Sequence, residues 1–189
     1  MSWKHLYHPA VWGGAIVIAA GVFAAFWYMS TSTVPLIQRA EQSPPAADFT
    51  LPSIDGPDVS LAGLRGKIVL INLWTPQCSA CDAEVRALSL LQTGYKTSVV
   101  ILGVALSTEL STEPGSDAAA LKNAIAALKP AFPVLLGNQA FADSYPGSDF
   151  PRSFLVDHQG RLRATVLVAP DQPYKYFQRL VNALLADSS

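Results

Sequence analysis

The chain's two cysteines stand three positions apart, in Cys78-Ser79-Ala80-Cys81. They follow Lys67 to Trp74, KIVLINLW, a continuous apolar β-rich run. They open a helical pattern over Ser79 to Gln92, where Val85, Leu88, Leu91 and Gln92 recur at three- and four-residue spacing. A cysteine at a helix N-terminus lies beside unpaired backbone N–H groups and the positive end of the helix dipole. Both favour thiolate over thiol, so Cys78 is expected to titrate below the ~8.5 of a free thiol. Cys81, one turn along, is close enough to form a disulfide with it or to resolve a mixed one. That is redox chemistry, and a strand leading into a helix is the setting it needs. The blander readings are two buried structural cysteines or half of a zinc site. Zinc needs two more ligands, and no second Cys pair or His pair is present.

Composition removes several other classes. The 189 residues carry a formal net charge of −1, which leaves no basic surplus for tracking phosphates and excludes a nucleic-acid partner. Two cysteines cannot build a disulfide framework, and three scattered histidines do not make a metal cluster. His158 reads as a solvated turn residue. No Ser-His-Asp, HExxH, Walker-type or GxGxxG pattern occurs. Charged residues make up only 14%, against roughly 25% in an average soluble protein.

Part of that shortage lies at the N-terminus, where no Asp, Glu, Lys or Arg falls between Lys4 and Arg39. Ala10 to Met29, AVWGGAIVIAAGVFAAFWYM, is long enough to cross the ~30 Å hydrocarbon layer of a bilayer. Trp12 at one end and Trp27 and Tyr28 at the other suit the headgroup region. The run exceeds the ~7–15 residues of a signal-peptide core and ends in bulky side chains, so it reads as an uncleaved anchor. Lys4 before it favours a cytoplasmic N-terminus. The expected organisation is a short cytoplasmic segment (1–9), a transmembrane helix (10–29), a proline-containing linker (30–47) and a domain (48–189). The chain would cross the cytoplasmic (inner) membrane once, with the domain on the periplasmic or extracytoplasmic side.

Within the domain, strand and helix signals alternate. Phe49-Thr50-Leu51 and Val59-Ser60-Leu61 flank a turn, a hairpin pattern. Ser98 to Leu106 is a second buried strand, Ser107 to Ser116 a polar loop, and Asp117 to Lys129 a helix with Asp117 as candidate N-cap. Phe132 to Leu136 reads as a short strand. Arg152 to Val156 and Leu162 to Val168 form a hairpin about Asp157-His158-Gln159-Gly160, and Asp171 to Leu185 is an amphipathic helix. Buried parallel-type strands with helical crossovers, then a hairpin and helix, predict a three-layer α/β domain with a central mixed sheet.

These residues resemble the membrane-anchored thioredoxin-like proteins of the TlpA/ResA type. The resemblance runs through DFTLPSIDG, VSLAGLRGKIVLINLWTPQCSAC, FPVLLG and YPGSDFPRSFLVDHQG, from Asp48 to about Gly160. It includes Asn72, two residues before the tryptophan. It implies a thioredoxin-like fold and a thiol–disulfide oxidoreductase with no cofactor beyond a redox-active Cys78–Cys81 disulfide. Cys78 would be the attacking thiolate, Cys81 the resolving thiol, and Glu84 the glutamate that adjusts the cysteine pKa values. Pro151 takes the cis-proline position, where the preceding backbone pairs with substrate. Trp74, Gln77, Phe150 and Pro151 are the candidate substrate-facing residues, core packing being the blander role for Trp74 and a solvated carboxylate that for Glu84. The implied partners are disulfide-bearing client proteins, such as apocytochrome c, and a transmembrane thiol electron donor. Three residues depart from the pattern: Gln77 stands for a tryptophan, Ala80 for a proline, and Arg86 for the proline that kinks the helix. Arg86 can pair with Asp82 at i, i+4, and a straighter helix bears on how deep Glu84 lies. Two other readings are a peroxiredoxin-like peroxidase, with Thr75 three before Cys78, and a tethered binding module without catalysis.

Overall fold

The computed structural model describes residues 37–76, 78–106, 116–146, 149–167 and 171–187. The apolar span at 10–29 and Gln77 lie outside them. Among the described residues no helix is long and apolar enough to cross a membrane. The elements run β1 (Thr50–Leu51), β2 (Val59–Ser60), β3 (Ile68–Trp74), α1 (Ser79–Gly94), β4 (Val99–Ala105), α2 (Ser116–Leu128), β5 (Val134–Leu136), α3 (Gln139–Ser144), β6 (Arg152–Val156), β7 (Leu162–Val166) and α4 (Pro173–Ala186). β1 and β2 form the antiparallel hairpin. The other strands make one sheet in the order β5-β4-β3-β6-β7. β3, β4 and β5 run parallel, while β6 opposes β3 and β7 opposes β6. The predicted mixed α/β architecture is thus the observed one.

β3 reads as an unbroken apolar run because both of its faces are covered, and all seven residues are buried. Ile68, Leu70 and Trp74 meet Val85, Leu88 and Leu91 of α1 and Phe177, Leu180, Val181 and Leu184 of α4. Val69, Ile71 and Leu73 face Phe141, Tyr145 and Phe154, with Leu51 and Leu61 from the hairpin region closing the layer. α3 has no counterpart among the predicted elements. Its six residues are too few to display a helical period. It is held by the Asn138 Oδ1 cap, which accepts from the Phe141 N–H at 2.9 Å, and by the Phe141–Tyr145 stack at 4.7 Å.

Both outer strands are partly covered. Along β7, the Gln38 N–H donates to the Arg163 carbonyl at 2.8 Å, and the Leu162 N–H donates to Pro44 at 2.9 Å. Beyond β5, the Leu136 N–H donates to Pro52 and the Ile54 N–H to Val134, each at 2.9 Å. The segment before β1 and the β1–β2 connection therefore occupy edges that would otherwise present unpaired backbone.

The β6–β7 turn requires glycine. Gly160 has φ +81°, and its N–H donates to the Asp157 carbonyl at 2.8 Å. A β-carbon there would overlap Arg65 Nη1, but that guanidinium is partly exposed and can swing away. The backbone angle therefore sets the cost. Gly160→Ala is expected to destabilise the chain by about 1–2 kcal/mol, lowering the thermal midpoint by about 2–8 °C. An unchanged midpoint would contradict this account of the turn.

Candidate active site

The site begins where β3 ends. Cys78 caps α1, its Sγ accepting the Cys81 N–H at 3.1 Å. A sulfur in this position takes up one of the orphan donors of the helix N-terminus and feels its partial positive charge. Cys78 and Cys81 are joined in a disulfide with an S–S distance of 2.07 Å and Cα atoms 5.3 Å apart. The two sulfurs are unequal. Cys78 is half-buried beside exposed Ser79 and Ala80, whereas Cys81 is fully buried. A molecule arriving from solvent therefore meets Cys78.

The Phe150–Pro151 peptide is cis. Leu73 of β3 pairs in register with Arg152 of β6. Pro151 thus precedes β6 at the same end of the sheet where the chain leaves β3 for Cys78. Pro151 is buried and Phe150 half-buried. Trp74 is only 1% exposed, with Nε1 so close over Gly103 that a β-carbon there would lie 3.2 Å away. It supports the site from inside the core and offers no surface to a docked molecule. Gln77 lies outside the described residues.

Glu84 stands three residues after Cys81 on the same helical face and is 1% exposed. α1 runs unbroken through Arg86, so the departure from proline leaves the carboxyl deep in the fold. Its Oε1 accepts from Asn72 Nδ2 at 2.6 Å and from Ser153 Oγ at 2.8 Å. Asn72 Nδ2 also donates to Ser153 Oγ at 3.0 Å. Asn72 and Ser153 are register partners across β3 and β6, so the sheet itself brings the trio together under α1. Ser153 was absent from the residues singled out by sequence. Its one signal was polarity on an inward position of β6, sharing a face with Leu155.

Burial pushes the Glu84 carboxyl up from 4.5 to about 7, opposed in part by the hydrogen bond from Ser153. Its Oε2 is buried and finds no hydrogen-bond partner among the described residues. On α4, the Tyr176 phenol is pushed above its ordinary value by burial and then by the Glu84 charge. A carboxyl titrating near neutrality inside the fold can give or take a proton there. The expected Asp82–Arg86 ion pair does not form; among the described residues neither side chain has a charged partner. Nor do three or more His, Cys, Asp or Glu side chains gather as metal ligands among the described residues.

The raised pKa has a stability consequence. Between about pH 4.5 and 7 the folded chain holds more proton at Glu84 than the unfolded chain does, so stability falls as pH rises through that window. The penalty is complete above about pH 7. Glu84→Gln keeps the shape without the charge. From pH 4.5 to 8 it should gain about 2–4 kcal/mol relative to the parent chain, read by urea unfolding of the oxidised protein. Parallel pH profiles for the two proteins would refute the assignment.

The model of the AhpC/TSA family matches residues 43–172. Thioredoxin-like protein YneN of Bacillus subtilis is 27% identical over 124 residues, covering 66% of this chain and 68% of that protein. Thiol-disulfide oxidoreductase ResA of Bacillus thuringiensis is 28% identical over 118 residues, covering 62% of this chain and 64% of that one. The match thus spans just under two thirds of the ResA relative's length. A crystallographic thiol:disulfide interchange protein of Chlorobium tepidum superposes with a TM-score of 0.65 at 21% identity. It covers 76% of this chain and 97% of its own, which shows a shared fold.

Proposed function

Because the chain belongs to the AhpC/TSA family and carries the fold and cysteine pair of a thiol–disulfide oxidoreductase, we propose that it reduces client disulfides outside the cytoplasm. The observation that carries this reading is the asymmetry of the pair. Cys78 sits at a helix N-terminus within reach of solvent, and Cys81 is buried one turn before a carboxyl titrating near neutrality.

In the dithiol state, the Cys78 thiolate attacks one sulfur of the client disulfide. A Cys78–client bond forms, the client S–S bond breaks, and the other client sulfur leaves as a thiolate that takes a proton from water. Cys81 then gives up its proton, for which the Glu84 carboxylate is the nearby acceptor. The Cys81 thiolate attacks Cys78 Sγ, closing the enzyme disulfide and releasing the second client thiolate. Two electrons pass from the enzyme pair to the client. Cis Pro151 and the Phe150 backbone present an edge along which an extended client segment pairs.

The apolar run at 10–29 supports a single-pass anchor in the cytoplasmic membrane, with the domain on its outer side. That compartment is oxidising, so return to the dithiol draws two electrons from a transmembrane thiol carrier. Cytochrome c precursors, with paired cysteines, are the client class implied by the resemblance to TlpA and ResA. Insulin reduction by the full chain, with dithiothreitol as final reductant, should run several-fold above dithiothreitol alone, and no acceleration would overturn the reading. Hydrogen peroxide consumption should not exceed that of free cysteine; a much faster rate would favour the peroxidase reading.

A further inference from the structure

An open groove of about 340 Å³ lies between α1 and α2. It is lined by Pro76, by Asp82 and Arg86 of α1, and by Ala120, Ala124, Ala127 and Leu128 of α2. Pro76 is two residues before Cys78 and Asp82 lies one helical turn beyond it, so the lining begins within a turn of the solvent-facing cysteine. The α2 residues fall at three- and four-residue spacing on one helix face, and the three alanines make most of that wall shallow. Asp82 and Arg86 occupy i, i+4 positions with the acid toward the N-terminus, the order that favours pairing on a helix. Both are exposed, and neither has a charged partner among the described residues. The groove therefore carries an unpaired anion near the disulfide and an unpaired cation one turn farther along.

We infer that this groove holds one flank of the client chain, in extended form, and selects for its charge order. The inference rests on the reductase reading and adds a client preference to it. Four helical residues advance about 6 Å, and two residues of an extended chain advance nearly the same, with both side chains on one face. Asp82 lies four residues beyond Cys78 and Arg86 four beyond Asp82, so the fitting flank has a basic residue about two positions from the attacked cysteine and an acidic residue about two positions beyond it. The one residue between them is small and lies against the alanine wall.

The test uses two synthetic peptides of identical composition, each a symmetric disulfide dimer through a single cysteine. One carries Lys and Glu at the second and fourth positions after the cysteine; the other carries them exchanged. The rate at which the Cys81→Ser full chain releases peptide thiol is compared for both, with hydroxyethyl disulfide as an uncharged reference. The Lys-then-Glu peptide should react about three- to tenfold faster at low salt, in line with two exposed ion pairs made or reversed. The preference should shrink toward one in 0.5 M salt. In the charge-exchanged variant Asp82→Arg/Arg86→Asp it should invert. Equal rates for the two peptides, or a preference that the exchange leaves unchanged, would overturn the groove while leaving the reductase reading standing. Discrimination that weakens as enzyme concentration rises would mean a second copy fills the groove, and counts against the inference. If Cys78 exchanges with neither the peptides nor hydroxyethyl disulfide, the reductase reading and the groove fall together.

Discussion

Cys78→Ala is expected to reduce insulin turnover by the full chain to the uncatalysed rate, whereas Cys81→Ala should keep the first exchange step and lose only turnover. The difference follows from placement. Cys78 is half-buried at the N-terminus of α1, its sulfur accepting the Cys81 N–H, and a thiolate is stabilised there by orphan donors and the helix dipole. Cys81 is fully buried and can meet only a sulfur already bonded to Cys78. Consumption of one equivalent of a small disulfide by each reduced variant separates the two roles. Cys78→Ala should consume it no faster than a chain lacking both cysteines, and Cys81→Ala at close to the parent rate. Equal reactivity of the two variants would show that the sulfurs are interchangeable, which this geometry does not allow.

The largest effect on stability is expected at Arg163, far from the sulfurs. Its Nη1 lies 3.1 Å from Asp157 Oδ2, with side-chain exposures of 6% and 1%. Nη2 reaches Asp187 Oδ2 at 2.6 Å, and Nε donates to the Gln38 carbonyl at 2.7 Å. One guanidinium thus joins β7, the β6–β7 turn, the end of α4 and the segment before β1. Arg163→Ala leaves the Asp157 carboxylate buried without its counter-charge, at a cost of about 3–5 kcal/mol. In a chain of this size that lowers the thermal midpoint by about 6–20 °C. Adding Asp157→Asn should restore part of the loss, because the uncompensated charge is then gone. A midpoint lowered by less than a degree in Arg163→Ala would mean the buried pair contributes nothing.

How far the sequence reaches depends on whether the cause is local. The β3 strand and α1 were legible because each has a strong period or a continuous apolar run, and the cysteine motif marks their junction. The β6–β7 hairpin was legible through its Asp-to-Gly turn, where Gly160 adopts the left-handed region. α3 was not, because a six-residue helix is fixed by a cap and an aromatic stack and carries no pattern of its own. Ser153 was missed for a related reason. Its partner Glu84 lies 69 positions away, and only the pairing of β6 with β3 brings them together. The depth of Glu84 hung on whether Arg86 left the helix intact; the unbroken α1 settles that by turning the carboxyl inward. The Asp82–Arg86 pair shows the limit from the other side. The spacing permits it on any helix, yet the two exposed heads do not pair here.

Reduction of a client requires Cys78 to attack its disulfide and Cys81 to resolve the product. This division of roles is tested most directly by the full chain carrying Cys81→Ser, expressed in a bacterium and separated without reducing agent. Mixed disulfides through Cys78 should accumulate as higher-mass species, vanish on adding dithiothreitol, and be absent when Cys78 is also replaced by serine. A Cys81→Ser chain that remains wholly monomeric, with a free Cys78 thiol, would contradict the account.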